Sequence, residues 1–276
     1  YRFQSARRSH QMAIIMEKTQ RMINRREFCF ALGLALLHRQ NAAGQKADFI
    51  ARSFDNSRGE KMPYRLFIPQ DYDKRNKYPL ALWLHGGAGR GSDNLKQISG
   101  GNTIGSHVWT YPANQQKHPC FVVAPQCPEG EFWATTDSAK PTKQLRLVVE
   151  LLEDLQKEFN LDERRFYAAG QSLGGFGTWA IISEHADMFA AAMPICGGGN
   201  EAEAVKLKSI PIWAFHGERD EAVSVERSRK MIAAIKQAGG IAKYTEYKGA
   251  GHAIWQQVFS EPDLLTWTFA QTNKWK

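Results

Sequence analysis

From residue 45 onward, short runs of β-branched and aromatic residues alternate with longer stretches of helical periodicity. That alternation marks βαβ units, because neighbouring parallel strands need a crossover long enough to hold a helix. Runs at 64–68, 80–84, 120–124, 165–169, 190–195, 211–215 and 243–247 predict strands, and stretches at 143–158, 175–184, 225–238 and 264–272 predict helices. In the first of these helices Leu147, Leu151, Leu155 and Phe159 recur at helical spacing, giving it one apolar face for a sheet. The expectation is an α/β fold, a mostly parallel central sheet with helices on both faces, built as one domain over 45–276.

Composition agrees with a packed core and narrows the partners. The chain has 276 residues, 43% of them apolar and 23% charged, as in an ordinary globular protein. Its net charge of +8 is concentrated at one end: residues 1–44 carry eight Lys or Arg against two acids, and the remainder is nearly balanced. Without a clustered basic stripe, a nucleic-acid partner is not expected.

Residues 22–44 have the parts of an export signal: Arg25-Arg26 before Phe28, an apolar run to Leu37, then Ala42-Ala43-Gly44. The run is too short to span a bilayer, so stable membrane insertion is not expected. The paired arginines point to a twin-arginine-type signal and an exported protein. The competing reading is an amphipathic helix packed on the body. Met22 is a plausible start, which would leave residues 1–21 upstream of the translated chain. Beyond Cys29, the cysteines are Cys120, Cys127 and Cys196, an odd number with no zinc-like spacing.

The chemistry centres on Gly170-Gln171-Ser172-Leu173-Gly174-Gly175, which follows one predicted strand and opens a helix. A sharp strand-to-helix turn that lifts a serine above a sheet needs residues without bulk around it, and Gly170 and Gly174 supply them. A serine hydroxyl is a weak nucleophile near neutral pH, so a histidine base and an orienting acid are required. Asp220 in Gly217-Glu218-Arg219-Asp220 and His252 in Gly249-Ala250-Gly251-His252 each follow a later predicted strand. The order Ser, Asp, His is that of an α/β-hydrolase triad. Glu218 and Asp263 are alternative acids, and His216 and His85 alternative bases. The oxyanion of an acyl-transfer intermediate needs two N–H donors: Leu173 is one, and Gly87 in the loop His85-Gly86-Gly87-Ala88-Gly89 the other. Trp133, Gln171 and His85 are candidate substrate-pocket residues; the alternative for Trp133 is surface packing, and for His85 packing or loop support. No phosphate-binding loop ending in Lys-Ser/Thr and no metal-binding histidine cluster is present, so neither a cofactor nor a metal is expected.

These segments, together with Ala124-Pro125-Gln126-Cys127-Pro128 and Pro194-Ile195-Cys196-Gly197-Gly198-Gly199, resemble the esterase and predicted-peptidase branch of the prolyl-oligopeptidase-like α/β-hydrolases over roughly residues 60–270. Phospholipase/carboxylesterases, feruloyl esterases and polyhydroxybutyrate-depolymerase-like enzymes are relatives in that branch. The resemblance implies a secreted or periplasmic serine esterase acting on short acyl chains or carbohydrate-linked acyl groups. At this length there is no room for the β-propeller of true prolyl oligopeptidases, which speaks against peptidase activity. The short stretch between Gly199 and Pro211 speaks against a large cap domain and hence against long-chain lipase activity. A hydrolase-like carbohydrate-binding protein is the non-enzyme alternative, although such proteins usually lack a triad member.

Overall fold

Residues 48–135 and 140–276 are described by a computed structural model. The export-signal reading of 22–44, and Cys29 with it, lies outside the described residues. Ala47–Lys276 forms one compact unit.

Eight strands make a single sheet: β1 Ile50–Asp55, β2 Lys61–Phe67, β3 Tyr78–Leu84, β4 Phe121–Pro125, β5 Leu161–Gln171, β6 Ala191–Ile195, β7 Ile212–Gly217 and β8 Ala242–Tyr247. Their order across the sheet is β1-β2-β4-β3-β5-β6-β7-β8. β2 pairs antiparallel with both β1 and β4, and every pairing from β4 to β8 is parallel.

Alternation along each central strand builds two cores. In β3, Leu80, Leu82 and Leu84 face the layer formed by helices Lys143–Glu158, Leu173–Glu184 and Glu226–Gln237. Ala81 and Trp83 face the opposite layer, with Ile98, Trp109, Ile254, Val258 and Leu264. A strand covered on both sides loses the polar face of an exposed sheet, which is why β3 is buried at every residue. The helix Leu173–Glu184 is buried almost all round, as a helix wedged into a core must be.

Two differences from the sequence reading have physical reasons. Strand β1 is absent from that reading, because IARSFD is an exposed edge strand whose side chains show no apolar alternation. Strands β2 and β5 are longer than expected: β2 starts at Lys61 and includes Pro63, and β5 starts at the buried Leu161 and runs through the charged stretch Asp162–Glu163–Arg164.

Leu82→Ala, in a fully buried position of β3, should lower the unfolding free energy by about 2–5 kcal/mol in urea denaturation, because the cavity it leaves cannot collapse against the sheet.

Candidate active site

Strand β5 ends at Gln171, and the helix begins at Leu173, so the chain turns from extended to helical across Ser172 alone. Ser172 has φ 53° and ψ −115°, a region that costs a non-glycine residue roughly 1–3 kcal/mol. The turn is possible because nothing projects from its flanks. A Cβ on Gly174 would overlap the Leu84 carbonyl, and one on Gly170 would overlap the Gly174 carbonyl. The Ser172 N–H donates to the Ile195 carbonyl at 2.8 Å, which ties the turn to the end of β6.

Asp220 follows β7 and His252 follows β8, so both reach the same carboxyl-terminal edge of the sheet. The distance from Ser172 Oγ to His252 Nε2 is 2.8 Å, and that from His252 Nδ1 to Asp220 Oδ2 is 2.6 Å. With Nδ1 facing a carboxylate, the imidazole carries its proton there and leaves Nε2 free to accept the serine proton. Asp220 Oδ1 accepts the backbone N–H groups of Ala222 and Val223 at 2.9 and 2.8 Å. Burial by itself would raise the Asp220 pKa, but the Val223 N–H and His252 outweigh it and hold the carboxyl below its ordinary range. The ring of Trp255 packs edge-on to His252 at 5.3 Å.

The rival residues have other partners. Glu218 accepts the Gly249 N–H at 2.7 Å and braces the turn that leads to His252. Asp263 is exposed at the start of helix Leu264–Phe269. His85 is buried behind the glycine loop, where its Nδ1–H donates to the Gly86 carbonyl at 2.7 Å and its Nε2 accepts the Cys127 N–H at 3.0 Å. Burial depresses its pKa to about 4, so the ring is neutral. His216 is buried beside Asp220, with Nε2 3.2 Å from Oδ2.

Leu173 opens the helix and Gly87 opens the single turn Gly87–Gly89, so neither N–H has an acceptor within its own helical turn. A Cβ on Gly87 would meet nothing closer than the Arg90 guanidinium at 3.8 Å, which leaves that backbone open to approach. The loop is braced from behind. Gly86 N–H donates to Asn102 Oδ1 at 2.9 Å, Gly91 N–H to the Cys127 carbonyl at 3.0 Å, and Gln126 Nε2 to the Gly89 carbonyl at 3.1 Å.

Trp133, Gln171 and His85, the candidate pocket residues, lie behind the glycine loop and the serine turn. All three are buried, and their polar atoms are directed at their own surroundings: the Trp133 indole N–H donates to the His85 carbonyl at 3.2 Å, and Gln171 Nε2 donates to the Gly101 carbonyl at 2.9 Å and to Asn102 Oδ1 at 3.1 Å. Their contacts brace the glycine loop against the serine turn. The accessible groups near the site are Phe132, 41% exposed with the Arg90 guanidinium 5.3 Å over its ring, and Trp255. Sequence reasoning does not single out Phe132, Arg90, Trp255 or Asn102. Trp255 lies three residues beyond His252, a spacing that could have marked it, whereas Asn102 sits in an irregular stretch with no pattern to betray it.

Among the described residues, Cys196, His216 and Asp220 have potential metal-ligating atoms within 4.8 Å of one another. Each of these groups already has a partner within the protein: Asp220 holds His252, and His216 meets Ser228 and the Val223 carbonyl. Burial pushes the Cys196 thiol up, so it stays protonated, and its S–H points at the His252 carbonyl at 3.4 Å.

The strand order, with a strained serine after β5 and an acid and a histidine after β7 and β8, is that of the α/β-hydrolase fold. The dienelactone hydrolase family model matches residues 126–261. A bifunctional acetylxylan esterase/xylanase from Neocallimastix patriciarum is 32% identical over 150 residues, which is 54% of this chain and 20% of that protein. A probable feruloyl esterase C from Aspergillus terreus is 23% identical over 73% of this chain and 70% of its own length. An uncharacterised secreted protein of Arthroderma benhamiae is 26% identical over 70% of this chain and 23% of its own. Among solved structures, a thermostable esterase superposes with TM-score 0.79 and 39% identity, over 82% of this chain and 64% of that one. The chain therefore spans about a fifth of the xylanase and of the secreted protein, and under two thirds of the thermostable esterase.

The buried neutral His85 gives the fold an acid sensitivity with a definite sign. Its folded pKa lies below its ordinary value, so between about pH 6.5 and pH 4 the unfolded chain binds the extra proton, and stability falls as pH falls. Urea denaturation should show a His85-dependent loss of about 2 kcal/mol from pH 7 to pH 5, and His85→Gln should flatten that slope.

Proposed function

We propose that this protein is a serine esterase in which Ser172, His252 and Asp220 form the catalytic triad. The observation that carries the reading is the unbroken hydrogen-bonded chain from Ser172 Oγ through His252 to Asp220, at 2.8 and 2.6 Å. Ser172 Oγ attacks the ester carbonyl carbon as its proton passes to His252 Nε2, and the buried Asp220 stabilises the imidazolium that forms. The carbonyl oxygen becomes an oxyanion received by the N–H groups of Gly87 and Leu173. Collapse of the intermediate releases the alcohol, which takes the proton from His252, and leaves an acyl-enzyme. Water then attacks the acyl carbon, giving a proton to His252, and the carboxylic acid departs as the proton returns to Ser172.

The substrate class is a short or carbohydrate-linked acyl ester. Likeness to acetylxylan and feruloyl esterases supports this. So does the connection from β6 to β7, where 196–211 holds only short helical turns and no cap. A site open at this edge suits an ester borne on a polymer. The reading includes export: 22–44 has the pattern of a signal, one relative is named as secreted, and no helix among the described residues is long and apolar enough to cross a membrane.

With p-nitrophenyl acetate, Ser172→Ala should lose kcat by at least about 10⁴-fold, leaving only what binding and the oxyanion donors supply. Hydrolysis at the wild-type rate would refute the triad, and a wild-type protein that binds acetylated xylan without turnover would favour the carbohydrate-binding alternative. Against a panel of p-nitrophenyl acyl chain lengths, methyl ferulate, acetylated xylan, polyhydroxybutyrate and long-chain triglycerides, the short and carbohydrate-linked esters should be cleaved fastest. Preference for long-chain triglycerides would overturn the open-site argument.

A further inference from the structure

Asp220 serves two histidines, and the triad uses one of them. The second, His216, lies near the end of β7 with its ring fully buried. Its Nε2 faces two acceptors, the Val223 carbonyl at 2.9 Å and Asp220 Oδ2 at 3.2 Å. Its Nδ1 faces the Ser228 hydroxyl at 2.7 Å, a group that also lies 3.3 Å from the Gly197 carbonyl. An imidazole whose Nε2 meets two acceptors carries a proton on that nitrogen. Burial lowers the pKa of His216, which favours the neutral ring.

We propose that His216 is a positioning residue for the triad, its Nε2–H fixing the Asp220 carboxylate that in turn orients His252. The inference rests on the esterase reading for its kinetic consequences. Oδ1 of Asp220 takes the N–H groups of Ala222 and Val223 and Oδ2 takes His252, while the His216 Nε2–H, bonded to the Val223 carbonyl at 2.9 Å, stands 3.2 Å from Oδ2 as a shared, weaker contact. The two backbone donors and His252 already hold both oxygens, and the His216 N–H adds a further restraint on the Oδ2 side. The Asp220 side chain is wholly buried, so water cannot replace a missing donor. Losing the His216 bond would leave the Oδ2 charge to His252 alone, strengthening the hold of the carboxylate on the imidazolium while loosening its geometry. The titratable groups around His216 are Asp220, His252, Cys196 at the end of β6, and Glu246 on β8, which is itself paired with Arg229 and Tyr244.

Two polar substitutions separate positioning from packing. His216→Asn keeps an amide against Ser228 but is too short to reach Asp220, whereas His216→Gln can place an N–H where Nε2 stands. On p-nitrophenyl acetate, His216→Asn should lower kcat by about tenfold or more at unchanged KM, the scale of a misplaced catalytic group. The acid limb of its kcat/KM profile should move to higher pH, and His216→Gln should recover most of both. The proposal is overturned if His216→Asn lowers only the melting temperature, leaving kcat and the acid limb at wild-type positions, or if Asn and Gln lose activity equally. The downfield proton NMR signal of the His252–Asp220 bond, titrated without substrate, reads the same shift in the Asn variant and its reversal in the Gln variant. That measurement decides the role of His216 even if the wild-type protein hydrolyses no ester, and an unshifted titration in the Asn variant counts against it.

Discussion

The site depends on one close contact, the backbone of the serine turn lying directly on the Leu84 carbonyl with no side chain between them. β3 and β5 are neighbours in parallel register, with Leu84 opposite Gly170, so the segments leaving the two strands emerge side by side. After β3 comes the loop of Gly86 and Gly87, and after β5 comes Ser172. Any bulk at Gly174 would push the two apart. The strain at Ser172 is sustained because the helix, the end of β6 and the loop behind Leu84 together overdetermine its position.

From that contact the remaining groups are placed by the order of the sheet. β6, β7 and β8 succeed β5 laterally, and the segments after β7 and β8 bend back over the edge to bring Asp220 and His252 to the serine. The acid of the three is the one wholly withdrawn from water. A carboxylate without water is costly unless every oxygen is met by donors, and Asp220 meets that condition with two backbone N–H groups on one oxygen and the His252 imidazole on the other.

Much of this is legible in the sequence because it is written in short motifs. Gly170 and Gly174 around Ser172 announce a tight turn, and the later Asp220 and His252 follow runs that read plainly as strands. The central strands are legible because burial on both faces makes them continuously apolar, as in β3. β1 is not, since an edge strand such as IARSFD need not alternate. Function-bearing side chains are harder to sort from their supports. Trp133 and His85 have the chemistry of pocket residues, yet the structure uses them to back the glycine loop, because a loop made of glycines has no side chains with which to fix itself. His216 reads from sequence as an alternative base to His252; the chain order cannot show that two histidines meet one carboxylate from different sides.

Three cysteines, Cys120, Cys127 and Cys196, are buried with free thiols. Burial pushes the pKa of Cys120 and of Cys127 up to about 12, so at neutral pH hardly any thiolate exists to attack a disulfide or be trapped by one. The described fold thus owes none of its stability to cross-linking. Once folded, these thiols are closed to exchange, so a change of redox poise around the finished domain leaves them as they are.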